Sequence, residues 1–504
     1  MMNYSVIINN QTIPLQSIPV LSYEDFLESN TNLAKRKEFH CVNYYGYLSG
    51  SKIKLICCIA NDAEQTIYVS SAEIESNTSL PSFTAHHLPF HNFEREMHEN
   101  FDINYNDHPW LKPLRYSFTR ISRKQQIENY PFYQIHSEEL HEVGVGPIHA
   151  GIIEPGHFRF ICNGEQILHL EIQLGYQHRG IESLFLSKKK LLQRTVLAES
   201  IAGDTVAGHT TAFVNVWENL SGFNPSEDLL FARTLGLELE RIAIHTGDLS
   251  AICTDIAYQL GSSVFGRLRT PVINFLQEWC GNRLSKGLIR VGKNNFPFTR
   301  QLAEKLTKLL DDFEPDFMEM YNEMKSLPTV LARLEKTGIV TLQQAESIGA
   351  VGMTARASGI ARDIRSSHPS ALFTQLNHQP VVKRHGDVYS RTQVRKEEIL
   401  QSIRYIRQWL QVIPEENNQP TDPIAIGLKK QAPNSFTISM VEGWRGEICH
   451  CAVTDNNGDL FHYKIKDPSL HNWLAVALAV RNNEISDFPI CNKSFDPSYC
   501  GHDL

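Results

Sequence analysis

Four short segments combine imidazole, carboxylate and guanidinium groups with glycine at spacings suited to handling protons. The first, Gly146-Pro-Ile-His149-Ala-Gly-Ile-Ile-Glu154-Pro-Gly-His157, sets two imidazoles and a carboxylate on one Gly/Pro-rich loop. Imidazole titrates nearest neutrality, so such a loop can hold or pass a proton; an ordinary surface turn accounts for it equally. In the second, Gly175-Tyr-Gln-His178-Arg179-Gly180-Ile-Glu182, Gly180 permits a tight backbone and Glu182 falls at a helix entry, where the dipole favours a carboxylate. Arg179 can grip a carboxylate with two parallel hydrogen bonds. The bland alternative is a capped helix start with an ion pair. The third, Glu199-Ser-Ile-Ala202-Gly-Asp204-Thr205-Val-Ala-Gly-His209, interrupts an apolar helical pattern. Each glycine in a helix interior costs about 1 kcal/mol relative to alanine, so close packing or a cavity wall is the expected compensation. The fourth, Glu238-x-x-Arg241-x-x-x-His245-x-x-Asp248, lines one helical face. On a surface helix it is a solvated stripe; on a central helix it is a buried chain that must be paired.

The elements that position these groups follow from periodicity and turn signals. Residues 1–120 read as α+β, with β-rich runs at 51–60 and 66–70, a short charged helix at 93–101 and a loop at 106–109. A polar linker is placed within 117–140, so the domains divide as 1–120, 121–140 and 141–504. Residues 161–174 form a strand pair with Asn163-Gly164 as its turn. From Glu182 to about Val412 the pattern is mostly helical, with helices at 184–220, 299–326 and 393–412. Ser226 to Leu260 is one long helix or two in series, with Ser226 as cap and Gly261 closing it. Strands return across 424–466 with a turn at Asn456-Asn457-Gly458-Asp459, and 484–504 is loop-like.

Composition bounds the function. The 504 residues are 42% hydrophobic and 21% charged, with a net charge of −8 and no long block of one sign. That profile is globular, and the absence of a basic stripe argues against nucleic-acid binding. The start has no basic, apolar leader pattern, and the run Leu474–Val480 is far short of the ~20 residues that span a bilayer. Ten cysteines with no C-x-x-C fit a reducing cytoplasm and offer no usual zinc or iron–sulfur pattern.

Taken together and in order, these segments resemble the large subunit of group 4 membrane-bound nickel–iron hydrogenases and its relative, the 49 kDa quinone-pocket subunit of respiratory complex I. Gly146-Pro-Ile-His149…Glu154-Pro155 looks like the G-P-x-H-x-x-x-x-E-P opening of the hydrogenase branch. Gly175…His178-Arg179-Gly180-Ile-Glu182 is similar to the G-x-x-H-R-G-x-E element of both branches, and Glu238-x-x-Arg241-x-x-x-His245 to a helix in both. Gly281-Asn-Arg283, Asp467-Pro-Ser469 with His471-Asn-Trp473, and Ser494-Phe-Asp-Pro497 extend the likeness. Phe93-Glu-Arg-Glu96…Phe101-Asp-Ile103…His108-Pro109 resembles the smaller 30 kDa subunit. The resemblance implies an α+β fold: an N-terminal α/β sandwich-like domain, then a mostly α-helical hydrogenase-large-subunit-like domain with small β sheets.

The departures are as informative. The hydrogenase metal is held by four thiolates, soft anionic donors suited to a low-valent centre. Here Ala202 and Thr205 stand at the first pair of positions, and Ser498 and Gly501 at the second, with Cys500 one place out of register. The resemblance therefore implies a chain without the nickel–iron centre or any bound metal. The complex I branch holds the quinone head with a tyrosine in the segment equivalent to 200–205 and a loop histidine; Gly203 falls nearest that tyrosine, and His157 sits in a loop of different length. What remains is a cavity with His149, Glu154, His157, His178, Arg179, Ala202, Thr205, Ser498, Cys500 and Gly501, with Glu182, Asp204 and His209 as proton-transfer candidates. Glu238, Arg241, His245 and Asp248 form the polar stripe. The implied setting is a membrane-associated complex on the cytoplasmic side of the inner membrane. Its partners are an iron–sulfur small subunit with a [4Fe–4S] cluster, a membrane helix bundle and antiporter-like subunits. In it this chain passes electrons toward a quinone-like or other acceptor, coupled to ion movement. The rival expectation is a non-redox coupling or assembly subunit.

Overall fold

The computed structural model describes residues 3–123, 125–149, 151, 153–413 and 430–504; the expected strand residues at 424–429 lie outside them. The class is α+β, with helices and several small, mainly antiparallel sheets. Strands Phe39–Ser49, Lys52–Asn61 and Thr66–Glu75 pair antiparallel, and Ser5–Ile7 borders the last of them. The first of the three, with three tyrosines, has no counterpart among the expected runs at 51–60 and 66–70. Helices Tyr23–Ala34 and His91–Phe101 cover one face around Phe26, Tyr44, Phe90 and Phe93.

The opposite face of that sheet packs on a second sheet near the C-terminus, built from Ser435–Glu442, Glu447–Thr454 and Leu460–Lys466. Val42, Ile56, Cys58 and Val69 meet Ile438, Met440, Cys449 and Cys451 in one core, and Thr12–Pro14 adds an edge strand to Ser435–Glu442. The sandwich is thus shared by the two ends of the chain. A buried charge bridge crosses it: Glu447 binds Lys466 and His40 Nε2 (2.7 Å), and Asp62 takes His40 Nδ1 (3.3 Å) and Arg362 (2.8 Å). Burial disfavours both carboxylates as ions, but Lys466 and His40 hold Glu447, and His40, His368 and Arg362 hold Asp62, far below the ordinary range.

Between the sheets in sequence lie His157–Asn163 and Gln166–Gln173, turning at Asn163-Gly164 as expected, and a helical body. The expected helix at 184–220 is three: Ile181–Ser187, Leu191–Ala198 and Val206–Ser221. The expected segment 226–260 is filled by one long helix, Glu227–Asp255, and a second, Gln259–Cys280, follows beyond it. The break falls at Ala257, whose φ of 58° ends the first helix. Gly261 lies inside the second helix: a Cβ there would sit 2.6 Å from Tyr258 and 2.7 Å from Cys253 Sγ, so the glycine allows the two helices to touch. Arg300–Ser326, capped by Thr299, and Val388–Trp409, capped by Asp387, complete the body. The C-terminal stretch is not loop-like. Phe488–Phe495 and Tyr499–Asp503 are helical, the second capped by Ser498. The apolar run Leu474–Val480 belongs mainly to the buried helix Ser469–Ala479, and among the described residues no helix is long and apolar enough to cross a membrane.

Candidate functional site at the Asp204–Arg445 clamp

The glycine-interrupted segment is a turn, Ala202–Thr205, that opens the helix Val206–Ser221. Gly203 is exposed, with open space where a Cβ would stand. The Asp204 side chain, 35% exposed, accepts two hydrogen bonds from Arg445, at 2.6 Å on each oxygen. Arg445 sits at the tip of the hairpin joining Ser435–Glu442 to Glu447–Thr454. Its guanidinium lies 4.0 Å over Trp444 and also donates to Thr205 Oγ1 (3.1 Å) and the Asp496 carbonyl (2.5 Å). Trp444 Nε1 donates to the Asp204 carbonyl at 2.9 Å. The hairpin tip is fixed by backbone contact, since a Cβ on Gly352 would meet the Arg445 carbonyl at 2.1 Å. Burial alone would lower the Arg445 pKa, but Asp204 and Asp496 raise it further than burial lowers it, so the guanidinium stays charged.

Behind the clamp, one turn into the helix, His209 is fully buried. Its Nε2 lies 2.9 Å from Asp467 Oδ2 and its Nδ1 3.1 Å from His450 Nε2; His450 Nδ1 lies 2.8 Å from the Tyr463 hydroxyl. Burial, with His209 nearby, pushes the His450 pKa well below that of free imidazole. Burial would raise Asp467, but the hydrogen bond and charge of His209, with Arg445 and the Ser469 N–H, hold it down to about 2. Strand alternation explains the Cys449-His450-Cys451 triplet: the thiols face the shared sandwich core and the imidazole faces His209.

At the four positions that the sequence resemblance equates with hydrogenase thiolates, the side chains do not fit a nickel–iron centre. Ala202 and Thr205 flank the clamp. Ser498 Oγ accepts from Gly501 N (2.9 Å) as the cap of the last helix. A Cβ on Gly501 would stand 2.6 Å from Asp467 Oδ2, so the carboxylate held by His209 fills the path of a fourth thiolate. Burial and the Glu154 charge push Cys500 up to about 11, and burial pushes Cys491, against Gly338, up to about 12.

The remaining candidates divide. Glu154 reaches this face, accepting from Cys500 N at 3.4 Å. His149 and His157 bond to their own loop, to the carbonyls of Gly156 (2.9 Å) and Gly146 (3.2 Å). His178 Nδ1 bonds to the Asp503 carbonyl (2.8 Å). Arg179 grips carbonyls rather than a carboxylate: Ser200 (2.5 Å), Ile201 (2.7 Å) and Cys500 (3.2 Å). The first two lie just past the end of the helix Leu191–Ala198, where carbonyls lack intrahelical partners. Glu182 accepts from Ile465 N (2.9 Å) and pairs with Lys464 (3.2 Å). With His178 it lines another cavity, of about 380 Å³, beside Tyr47, Glu96 and Phe461.

The stripe on Glu227–Asp255 is buried throughout and pairs with the helix Val388–Trp409 in an antiparallel ladder. Glu238 accepts from Ser402 (2.5 Å) and faces Arg241 and Arg365; Glu398 meets Arg241 (3.2 Å), His245 (3.1 Å) and Arg356 (2.8 Å); Arg395 donates to Asp248 (2.9 Å). Next to the stripe, Glu240 accepts from Ala207 N (2.7 Å) and Gly208 N (3.2 Å) at the start of the 206–221 helix. Burial pushes its carboxyl up to about 8 against those two bonds. Folding therefore retains a proton that the unfolded chain loses near the ordinary value of 4.5, and stability falls as pH rises from there to about 8. Glu240→Gln is expected to flatten that slope in denaturant unfolding at about pH 5, 7 and 9. An unchanged slope would assign it to other groups.

Sequence reasoning did not single out Arg445, Trp444, His450 or Glu398. The signal present was Glu442-Gly-Trp-Arg-Gly-Glu447, a glycine-bounded hairpin tip that presents an arginine beside an indole.

Residues 259–503 match the model of the respiratory-chain NADH dehydrogenase 49 kDa subunit. Component G of hydrogenase-4 from Escherichia coli (strain K12) is 28% identical over 392 residues, 78% of this chain and 67% of that protein. The alpha subunit of the membrane-bound hydrogenase of Pyrococcus furiosus is 29% identical over 370 residues, 71% of this chain and 86% of its own length. The C/D subunit of NADH-quinone oxidoreductase from Phocaeicola vulgatus is 27% identical over 429 residues, covering 78% of this chain and 81% of that one.

Proposed function

We propose that this chain, which carries the 49 kDa-subunit domain and is related across most of its length to hydrogenase large subunits and to the C/D subunit of an NADH-quinone oxidoreductase, is the large hydrophilic subunit of a membrane-associated complex of that kind, working without a nickel–iron centre. Electrons arrive from an iron–sulfur cluster in a partner subunit. They pass to a quinone-like acceptor seated at the face of Gly203, Asp204 and Glu154, and the transfer is coupled to ion movement. Membrane helix-bundle and antiporter-like subunits complete the assembly, and the chain attaches peripherally on the cytoplasmic side. The observation that carries this is the pairing of a half-exposed, arginine-clamped carboxylate with a buried His209–Asp467 pair, at positions where the four thiolates are replaced.

Of the three proton-transfer candidates, Asp204 alone joins exposure to contact with the clamp. Once it carries a proton it can donate to an acceptor's oxygen, and Arg445 stabilises negative charge developing there. His209 is enclosed and acts on Asp204 only through Asp467 and Arg445. Asp204→Asn is expected to lower acceptor reduction by the purified complex about 10²-fold, the scale of one positioned acid–base group. Glu182→Gln, which changes a separate cavity, is expected to leave turnover within about twofold. Equal turnover in wild type and Asp204→Asn would remove the acceptor from this face.

One observation favours the non-redox coupling role instead. Both nitrogens of His209 are engaged and Asp204 is already satisfied by Arg445. A purified complex with its clusters intact that reduces no quinone, yet loses ion transport in Asp204→Asn, would establish that role.

A further inference from the structure

A second polar site lies at the opposite end of the helix ladder. It is a cavity of about 140 Å³ where the helices Val206–Ser221 and Glu227–Asp255 meet the strand Ser435–Glu442 and the N-terminal residue Asn10. Thr211, Asn219, Arg365 and Glu442 line it, with the ion pair Glu218–Arg233 (2.7 Å) in the same wall. Among the described residues, Asn10 Oδ1, Thr211 Oγ1 and Asn219 Nδ2 have no hydrogen-bond partner. Unmatched donors and acceptors in a space this size favour several waters, each needing two to four polar contacts. Glu442 joins the cavity to the ladder: its Oε1 accepts from Arg356 NH1 (2.7 Å), while Arg356 NH2 holds Glu398 (2.8 Å), which in turn holds Arg241 and His245. Among the described residues its Oε2 accepts only the Ile364 N–H (3.0 Å).

We propose that this cavity is a hydrated proton-exchange site, that Glu442 is the group that takes up and releases the proton, and that the site is the solvent end of the buried ladder. The step makes and breaks only O–H bonds: a cavity water hands one proton to Glu442 and is restored from bulk solvent. The charged neighbours of Glu442 set the balance. Burial and the Asp363 carboxylate favour the protonated form and push Glu442 up to about 7, while Arg356 and Arg365 oppose them. Loading the proton weakens the Glu442–Arg356 pair, leaving that nitrogen on the Arg362 carbonyl (3.0 Å) and Asp363 (3.4 Å), so the charge state of the cavity is felt at Arg356 and, through Glu398, along the ladder toward Asp248.

The proposal deepens the proton-coupled role proposed above, and its test needs no turnover. Infrared difference spectra of the intact full-length chain, titrated in H₂O and D₂O, read protonated buried carboxyls directly. Carboxyl bands titrating between about pH 6 and 8 are expected, one of them lost in Glu442→Gln while those of the buried Glu240 and Asp248 remain. The double variant Thr211→Val/Asn219→Leu removes two polar groups that lack protein partners, so it should fold. It is expected to slow deuterium exchange of the Glu442 band at least tenfold. A titration in which Glu442→Gln removes no band, or an exchange rate of the Glu442 band unaffected by drying the cavity, overturns the proposal. If Glu442→Gln does not fold, the double variant decides alone. A redox-inert complex with the Glu442 band intact would refute the electron-transfer role and leave this site standing.

Discussion

Gly501→Ala is expected to lower the unfolding free energy by about 2–4 kcal/mol, more than most surface changes of that size. The reason is geometric. The new methyl would lie 2.6 Å from Asp467 Oδ2, and the carboxylate cannot retreat without losing His209 Nε2 at 2.9 Å and the Ser469 N–H at 2.8 Å. Leaving either a buried imidazole or a buried carboxylate unpaired carries the larger part of the cost. The same clash governs the metal question. Placing cysteines at 202, 205, 498 and 501 together is expected to yield a destabilised chain that still binds no nickel, because the fourth thiolate and Asp467 claim one space. Metal analysis of the purified wild-type complex should return far less than one nickel per chain. Stoichiometric nickel would overturn the proposed function at its root, and a fully stable Gly501→Ala would show that Asp467 moves more freely than its contacts imply.

How much of this was legible in the sequence differs by element. Hairpin turns at Asn163-Gly164 and Asn456–Asp459, and the capped helix after Thr299, rest on local chemistry, and the structure follows them. The strand Phe39–Ser49 and the terminal helices 488–495 and 499–503 were missed because their formation depends on packing against distant segments rather than on local signals. The shared sandwich is non-local for the same reason: Thr12–Pro14 pairs with residues more than 400 positions away. At the site, motif spacing pointed to Asp204 and His209, but the partners that define their chemistry come from 443–467. Spacing also mistook the role of Arg179, since nothing local reveals that the carbonyls of Ser200 and Ile201 are left open for it. For the stripe at 238–248, helical periodicity gave the face. Only the packing of 388–409 against it decides between a solvated surface and a buried chain.

That buried chain sets the second large effect. Glu398→Ala is expected to destabilise by about 3–5 kcal/mol, which consumes much of the 5–15 kcal/mol that typically holds a domain folded. Glu398 is fully buried and satisfies three cationic or imidazole partners at once: Arg356, Arg241 and His245. Removing it leaves two buried guanidinium groups under-compensated: Arg356 keeps Glu442 and Asp363, but among the described residues Arg241 keeps only Glu238 and two backbone carbonyls. The exposed pair Arg267–Asp316 at 2.6 Å is the control: Asp316→Ala should cost under about 1 kcal/mol, because water and salt screen it. The pH dependence has a definite sign. Burial would raise Glu398, but Arg356, His245 and Arg241 hold it well below 4.5. The folded state therefore binds fewer protons than the unfolded one, and the contribution is complete above about pH 4.5 and is lost as pH falls below that. Denaturant unfolding from about pH 3 to 7 should show a steeper acid loss in wild type than in Glu398→Gln, and equal slopes would place the acid-sensitive carboxylates elsewhere, at Asp363 or Glu447. If Glu398→Ala instead unfolds within about 1 kcal/mol of wild type, the ladder relaxes around the loss and water enters it, which would make the charge axis a hydrated channel rather than a dry strut.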